Sequence, residues 1–321
     1  MAKRVLVLLP VTDKQKKDLM DLDPQGEFRF SSREEVSLEE VRWAQAIIGN
    51  PSSEAVKGSE NLEFLQLSSA GCENYVKDGV LSERIILANA TGTYGPSIGE
   101  YMVAVTLMHF RKLHFYRDQQ KAHLWNNLGR SQSAESATIL VVGAGDIGGN
   151  YARRMKALGS HTIGIRRTSG PNDKPDCFDE LYSMEHLDAQ IPRANVVALS
   201  LPNTPATTGI MDGRRLALMA PDSLLINVGR GSAVVTDDLM AALKNGPMGG
   251  AALDVTDPEP LPPDHPLWDF ENLTITPHNT GGSTAESKAR LFDICAENFR
   301  RYLAGEPIQG VDRSTGYRAS H

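Results

Sequence analysis

The stretch Thr138 to Gly148, T-I-L-V-V-G-A-G-D-I-G, sets three glycines between an apolar run and the helical pattern Asn150 to Leu158. That order suits a pyrophosphate. Gly143 permits a tight turn, Gly145 lets the backbone approach an anion, and Gly148 allows the following helix to pack closely. The amides of Asp146 and Ile147 would then face the anion at the positive helix end. The glycines alone also fit a flexible turn, so the strand before them and the helix after them carry the reading, which is a dinucleotide site. About twenty positions on, such a site usually holds an acidic residue for the ribose hydroxyls. Here the second strand ends Gly164-Ile165-Arg166-Arg167-Thr168, with no acid and two guanidiniums, the side chain best matched to a phosphate monoester. NADP is therefore favoured and NAD remains possible. The plain alternative for this segment is a solvated basic loop.

Further on, three strand ends carry polar side chains able to do chemistry. Ile226-Asn227-Val228-Gly229-Arg230-Gly231 places one arginine between two glycines just past an apolar strand. Ala251-Ala252-Leu253-Asp254-Val255 ends a strand in an acid, and Asp257-Pro258-Glu259-Pro260 follows it. Thr274-Ile275-Thr276-Pro277-His278 is a strand stopped by proline with a histidine directly beyond. The carboxyl edge of a parallel sheet is where ligands bind. Taken singly, each has a bland reading: an exposed Arg, a turn Glu, a His at a strand end. Cys72 follows a Ser-Ala-Gly turn, but no helix end or base is evident that would make it a nucleophile.

Only a sheet can bring such distant segments to one edge. Strands are expected at Thr138 to Val142, Thr162 to Ile165, Val196 to Leu199, Leu224 to Asn227, Gly250 to Asp254 and Leu273 to Ile275, a doubly wound sheet of Rossmann size. Before it, strands at Arg4 to Leu9, Ala46 to Gly49, Phe64 to Ser68 and Ile85 to Asn89, with a helix from Asp13 to Leu22, predict a smaller parallel α/β domain. A long helix, Ser97 to Arg117, begins at Pro96, and a polar stretch runs from Ser131 to Ser136. The terminal helix, Ser283 to Ala304, has no evident place in the completed second sheet and is expected back on the first domain. The boundaries are then 1–93 plus 284–321 for one domain and 94–283 for the dinucleotide-binding one. Trp125 and Trp268 are read as packing residues.

Composition narrows the partners. A chain of 321 residues, 40% hydrophobic and 23% charged, is globular and long for a single core. A net charge of -7 argues against a nucleic-acid partner, which would call for a basic face. Cys72, Cys177 and Cys295 show neither disulfide nor zinc spacing, so no metal is expected and a reducing compartment fits. The apolar run Val5 to Leu9 meets Pro10 too early for a signal segment or membrane span, so a cytoplasmic protein is expected.

Taken together, the segments resemble the D-isomer-specific 2-hydroxyacid dehydrogenase family, glyoxylate/hydroxypyruvate reductases included, over nearly the whole chain. The likeness is carried by Ser69-Ala70-Gly71-Cys72, Gly99-Glu100-Tyr101, G-A-G-D-I-G, Leu201-Pro202-Asn203-Thr204-Pro205, N-V-G-R-G from Asn227, D-V-T-D-P-E-P from Asp254, Pro266-Leu267-Trp268 and Thr276-Pro277-His278. The resemblance implies a Rossmann domain inserted into a smaller flavodoxin-like substrate domain, and a homodimer formed through the cofactor domain. It implies a small 2-keto or 2-hydroxy acid as substrate. His278 would be the proton donor to the carbonyl, Glu259 its carboxylate partner, and Arg230 the residue that binds and polarises the substrate. Hydride arriving at carbon develops charge on oxygen that an imidazolium and a guanidinium can each stabilise. Backbone of Ala70, Gly71 and Cys72 would hold the substrate carboxylate, Asp254 the nicotinamide carboxamide, and Leu201, Pro202, Val228 and Gly229 would line the cofactor. The substrate side chain would be read by loops around Asn50 to Ser53 and Ser69 to Tyr75. Two alternatives are a short phosphoglycerate-type dehydrogenase and a dinucleotide-sensing interaction protein of corepressor type. Formate dehydrogenases, which carry glutamine where Glu259 stands, fit less well.

Overall fold

The computed structural model describes residues 2–167, 174–282, 284–308, 310–312 and 317–318. The chain divides into two compact units, Met1–Tyr94 with Thr284–His321, and Gly95–Ser283.

In the first unit, strands β1 (Arg4–Val7), β2 (Glu27–Phe30), β3 (Ala46–Ile48), β4 (Phe64–Gln66) and β5 (Ile86–Ala88) form a parallel sheet in the order β2-β1-β3-β4-β5. Between them run helices α1 (Asp13–Leu22), α2 (Leu38–Trp43) and α3 (Ser53–Val56). The first two begin in capping boxes, Thr12 with Gln15 and Ser37 with Glu40, which satisfy helix-end amides that would otherwise lack acceptors. Alternation along the strands sorts the core. Val5, Val7, Ile48 and Phe64 pack with Leu19 on one face, and Leu6, Ile47 and Leu65 pack with Val41 and Val56 on the other.

In the second unit, α4 (Gly95–Phe110) and α5 (Leu113–Lys121) precede β6 (Thr138–Val142), α6 (Asp146–Ala157), β7 (His161–Arg166) and β8 (Glu180–Ser183). Then come α7 (Leu187–Gln190), β9 (Val196–Leu199), α8 (Gly213–Leu216), β10 (Leu224–Asn227), α9 (Thr236–Asn245), β11 (Gly250–Leu253) and β12 (Leu273–Ile275). The seven strands are parallel in the order β12-β11-β10-β9-β6-β7-β8. The order reverses direction at β6, which pairs with β7 on one side and β9 on the other. Such a switch point opens a crevice at the carboxyl ends of the strands. Gly99 of α4 lies where a Cβ would be 3.2 Å from Asn150 of α6, and Thr106 bonds the Tyr151 hydroxyl at 2.7 Å, so α4 closes tightly over the fingerprint helix.

Helix α10 (Ala285–Ala304) belongs to the first unit, where Cys295 and Phe299 are fully buried against the β1 and β4 side chains. The pair β13 (Val311–Asp312) and β14 (Tyr317–Arg318) follows it, antiparallel.

Three sequence expectations change. The long helix ends at Phe110 instead of continuing to Arg117: the Lys112 amide bonds back to His109 O, three residues behind, and Lys112 takes φ 56 before α5 begins. Strands β2 and β8 lie outside the expected set. Both are sheet edges, partly exposed, and mix charged with apolar residues, so neither shows the continuous apolar run of a central strand. Trp125 is completely exposed, and Trp268 is half exposed with its indole N–H on Pro262 O at 2.8 Å, so Trp125 in particular is no packing residue within this chain.

Candidate functional site

One row of paired residues crosses the second unit at the carboxyl edge of the sheet. Ile165 pairs with Val142, Val142 with Leu199, Leu199 with Asn227, Asn227 with Leu253, and Leu253 with Ile275. The residues just past this row are Arg166, which still pairs with Ser183 of β8, and Gly143, Ser200, Val228, Asp254 and Thr276, which leave the sheet. Register alone therefore delivers nearly every candidate of this unit to one edge.

The three glycines of the fingerprint do different work. Gly143 has φ 106, and a Cβ there would lie 2.6 Å from Ser200 O. At Gly148 a Cβ would meet Gly143 O at 2.3 Å. Gly145 meets nothing within 4 Å and is exposed, at the N-cap of α6, where no side chain caps the helix. Two glycines thus close the turn and the third leaves open room before uncapped helix amides, the arrangement that takes a pyrophosphate. Asp146 and Ile147 occupy the first turn of α6. Arg166 ends β7, half-buried, and Arg167 stands exposed beyond it; Thr168 lies outside the described residues.

Across the switch point, the loop after β10 is wedged between its neighbours. A Cβ on Gly229 would lie 2.5 Å from Leu201 O, and one on Gly231 would lie 1.9 Å from Thr256 O, so only glycine fits either position without backbone movement. The buried Asn227 holds this turn at both ends: its Oδ1 accepts from the Gly229 amide at 3.1 Å and its Nδ2 donates to Arg230 O at 2.9 Å. Arg230 Nη1 donates to Gly229 O at 2.8 Å. Leu201 and Val228 are buried and Pro202 half-buried, each directly past its strand.

His278 and Glu259 are brought together from different loops, with Nδ1 of the ring 2.6 Å from Oε1 of the carboxylate. Both side chains keep more than 40% of their surface exposed, so the pair is open to solvent and to a substrate. His278 has φ 51, a left-handed conformation that is uncommon for a residue other than glycine. Asp254 anchors the chain around it. Buried at 3% exposure, it accepts from Thr276 Oγ1 at 2.6 Å, Thr280 Oγ1 at 2.6 Å, and the amides of Asn279 and Thr280 at 3.3 and 3.4 Å. Its carboxylate therefore grips the chain on both sides of His278. Tyr101 of α4 lies 3.1 Å from Thr276 Oγ1, and its hydroxyl is pushed up to about 12 by burial, which the Thr276 bond opposes and the Asp254 charge reinforces. The sequence pointed to Asp254 as a strand-end acid but not to this web. Its signal was the hydroxyls of Thr276 and Thr280 flanking the histidine.

In the first unit, Ala70 and Gly71 are half-buried and Cys72 is buried, in the turn that follows β4. Cys72, Cys177 and Cys295 are all unoxidised thiols. No helix among the described residues is long and apolar enough to cross a membrane.

Comparison with known proteins agrees with this architecture. The model of the D-isomer specific 2-hydroxyacid dehydrogenase NAD-binding domain matches residues 103–280. An uncharacterised protein encoded in the proB 3′ region of Corynebacterium melassecola is 35% identical over 287 residues, covering 87% of this chain and 92% of that protein. Among solved structures, a D-isomer specific 2-hydroxyacid dehydrogenase from Xanthobacter autotrophicus Py2, in complex with NADPH and MES, superposes with a TM-score of 0.83 at 25% identity, covering 99% of this chain and 100% of that one. An NADPH-dependent glyoxylate/hydroxypyruvate reductase from Sinorhizobium meliloti, in complex with NADP and sulfate, gives 0.80 at 25% identity over 98% and 100% of the two chains.

Proposed function

The chain belongs to the D-isomer specific 2-hydroxyacid dehydrogenase family of NAD(P)-dependent oxidoreductases, and from that premise we propose that it reduces a small 2-keto acid to the D-2-hydroxy acid, preferring NADPH. His278, Glu259 and Arg230 act at the reacting centre. The observation that carries this reading is the 2.6 Å contact of His278 Nδ1 with Glu259 Oε1, beside the dinucleotide edge of the sheet.

The open face at Gly145 and the uncapped start of α6 suit a bound dinucleotide, with Gly143 and Gly148 shaping its cradle. When bound, the cofactor supplies the hydride that reduces the carbonyl carbon. The chain's own task is the charge that develops on oxygen. With Nδ1 engaged by Glu259, Nε2 is the nitrogen of His278 that holds a proton for that oxygen, and the carboxylate steadies the imidazolium until the proton leaves. Arg230 binds the substrate carboxylate and polarises the carbonyl, a two-contact role that suits a planar guanidinium. The carboxamide role that the family resemblance implies for Asp254 competes with four donors already on its oxygens. In this reading Asp254 serves first as the anchor of the His278 loop.

Arg166, at the end of β7, supports the NADPH preference, with Arg167 beyond it; the Xanthobacter and Sinorhizobium proteins are both seen with that cofactor. A homodimer through the second unit fits the exposed Leu113, Tyr116, Leu124 and Trp125 on and after α5, more apolar surface than a lone chain ordinarily leaves in one segment. Free buried thiols fit a cytoplasmic setting.

The test is spectrophotometric. A panel of 2-keto acids, glyoxylate and hydroxypyruvate first, assayed with NADH and NADPH, should show oxidation of the cofactor with at least one acid and higher kcat/KM for NADPH. A chain that binds dinucleotide yet reduces none of them would overturn the proposal.

A further inference from the structure

The stretch Thr276 to Thr280 carries His278 past the end of β12, and its hydrogen-bond donors have few destinations. The Thr276 amide goes to Leu253 O at 2.9 Å and the His278 amide to Thr276 O at 3.1 Å, while Pro277 has no amide hydrogen. The remaining amides, those of Asn279 and Thr280, and both threonine hydroxyls end on the carboxylate of Asp254. A carboxylate has about four acceptor directions, so these four donors fill it. The two hydroxyl bonds, 2.6 Å each, are much shorter than the amide bonds at 3.3 and 3.4 Å, and a short bond to a charged oxygen is the stronger kind. The hydroxyls therefore carry most of the hold. The local preference of His278 does not help, since φ 51 is uncommon for a residue with a Cβ.

Hydrogen counting gives this web a direction. A carboxylate only accepts, and a threonine hydroxyl has a single hydrogen. Thr276 gives that hydrogen to Asp254, so toward Tyr101, 3.1 Å away, its oxygen accepts. Tyr101 Oη is then the donor, and a phenol pushed up to about 12 by burial keeps its proton at neutral pH. The bonds run from Tyr101 on α4 through Thr276 to Asp254, and from Asp254 to Thr280 beyond His278. Glu259, the partner of the imidazole, is held by other means: Thr236 Oγ1 of α9 donates to Asp257 O and Thr256 Oγ1 to Pro258 O, both at 2.8 Å. The two halves of the His278–Glu259 contact thus have separate supports. A fault in the first displaces the ring from a carboxylate that stays.

We infer that Tyr101, Thr276 and Thr280 are positioning residues for the proton donor: through Asp254 their hydroxyls fix the loop that sets where His278 stands, and they touch neither substrate nor cofactor. The inference rests on the reading of His278 given under Proposed function. All of these residues lie within the second unit.

The experiment compares wild type with Thr276→Val, Thr280→Val, Thr280→Ser and Tyr101→Phe on the best 2-keto acid of the panel. It measures kcat, KM, the solvent deuterium isotope effect on kcat, and NADPH affinity by fluorescence. Valine keeps the shape of threonine and removes the hydroxyl, whereas serine keeps the hydroxyl. Misplacing a reacting group by about 1 Å can cost about a hundredfold in rate, so each valine variant should lower kcat by about ten- to a hundredfold, and Tyr101→Phe, one bond further away, by about two- to tenfold. Thr280→Ser should recover most of the loss. KM and NADPH affinity should stay within about twofold, because the weakened interaction is one made at the transition state. The isotope effect should rise in the valine variants, since a misplaced donor slows the proton step relative to the others, which a general loss of stability does not do. Wild-type kcat in the valine variants and Tyr101→Phe overturns the inference, as does a lower kcat with an unchanged isotope effect or a serine that recovers nothing. NADPH affinity lost with kcat kept also overturns it and makes the web a cofactor site. Should the valine variants fail to fold, Tyr101→Phe, which lacks only one oxygen, decides alone by kcat and isotope effect. A wild type that reduces no 2-keto acid overturns the parent reading as well, whereas an active wild type with indifferent variants overturns only this one.

Discussion

In the turn after β4, polar side chains bond to backbone carbonyls of the same unit, Asn89 to Ala70 O and Ser69 to Gly71 O. In the turn after β10, glycines 229 and 231 press backbone against backbone and leave Arg230 as the side chain between them. One turn is held by side chains, and the other is held by close-packed backbone and presents a side chain. The contrast teaches where damage should be graded and where it should be abrupt. A lost side-chain bond lets a peptide swing, but a Cβ placed on a carbonyl has nowhere to go, and a proton donor, as proposed for His278, would have no substitute.

The largest expected effect is therefore on the side-chain site. His278→Ala should lower kcat by about 10²–10⁴-fold, the usual contribution of a general acid, while NADPH affinity by fluorescence titration stays put. Near wild-type kcat would make His278 structural. Next comes the packing that holds Arg230. Gly231→Ala places a methyl 1.9 Å from Thr256 O, and forced overpacking of this kind costs about 1–3 kcal/mol. A melting temperature lowered by several degrees, read by circular dichroism, is the expected result; wild-type melting would show that Thr256 retreats freely and that the wedge is not rigid.

A smaller effect is expected at the ribose end. Arg166→Asp should cut the NADPH-to-NADH ratio of kcat/KM by about tenfold or more at fixed ionic strength, since one charge-assisted contact is lost and a repulsive charge added. NADH preference in the wild type would remove the claim outright.

The smallest effect is on acid stability. Asp179, bonded by Lys156, and Glu180, bonded by Arg193, are each held down to about 2. Their folded values lie below the ordinary carboxylate range near 4. The stability they contribute is thus complete above that range and is lost as pH falls through it toward 2. Asp179→Asn with Glu180→Gln should flatten that limb of an acid titration followed by tryptophan fluorescence. An unchanged limb would assign the acid sensitivity to other carboxylates.

The fold was legible wherever burial forces a simple pattern. Strands β6, β9, β10 and, at the sheet edge, β12 have the bounds that their apolar runs predict, whereas β2 and β8, partly exposed edges that mix charged with apolar residues, carry no such run. The fingerprint was legible because tight turns demand glycine, and Gly143 and Gly148 do meet backbone where a side chain would stand. The loops after β10, β11 and β12 could be marked as separate fragments. What joins His278 to Glu259 and Asp254 to Thr280 is register across strands, a long-range property that no local window contains. Asn89 escaped notice, and Asn50 was marked only as the start of a loop, for a related reason, since asparagine past a strand end reads as a turn former and its bonds to a distant loop leave no local trace.

The bond between Nδ1 of His278 and Glu259 also decides which form the uncharged ring takes. A carboxylate accepts and cannot donate, so neutral His278 keeps its hydrogen on Nδ1 and bares a lone pair at Nε2. In the proposed reaction the same atom would be an acid when the ring is charged and a base when it is not. The proposed reduction and its reverse would then differ at this residue by one proton exchanged with water at one nitrogen, and a turnover in one direction would leave the ring set for the other.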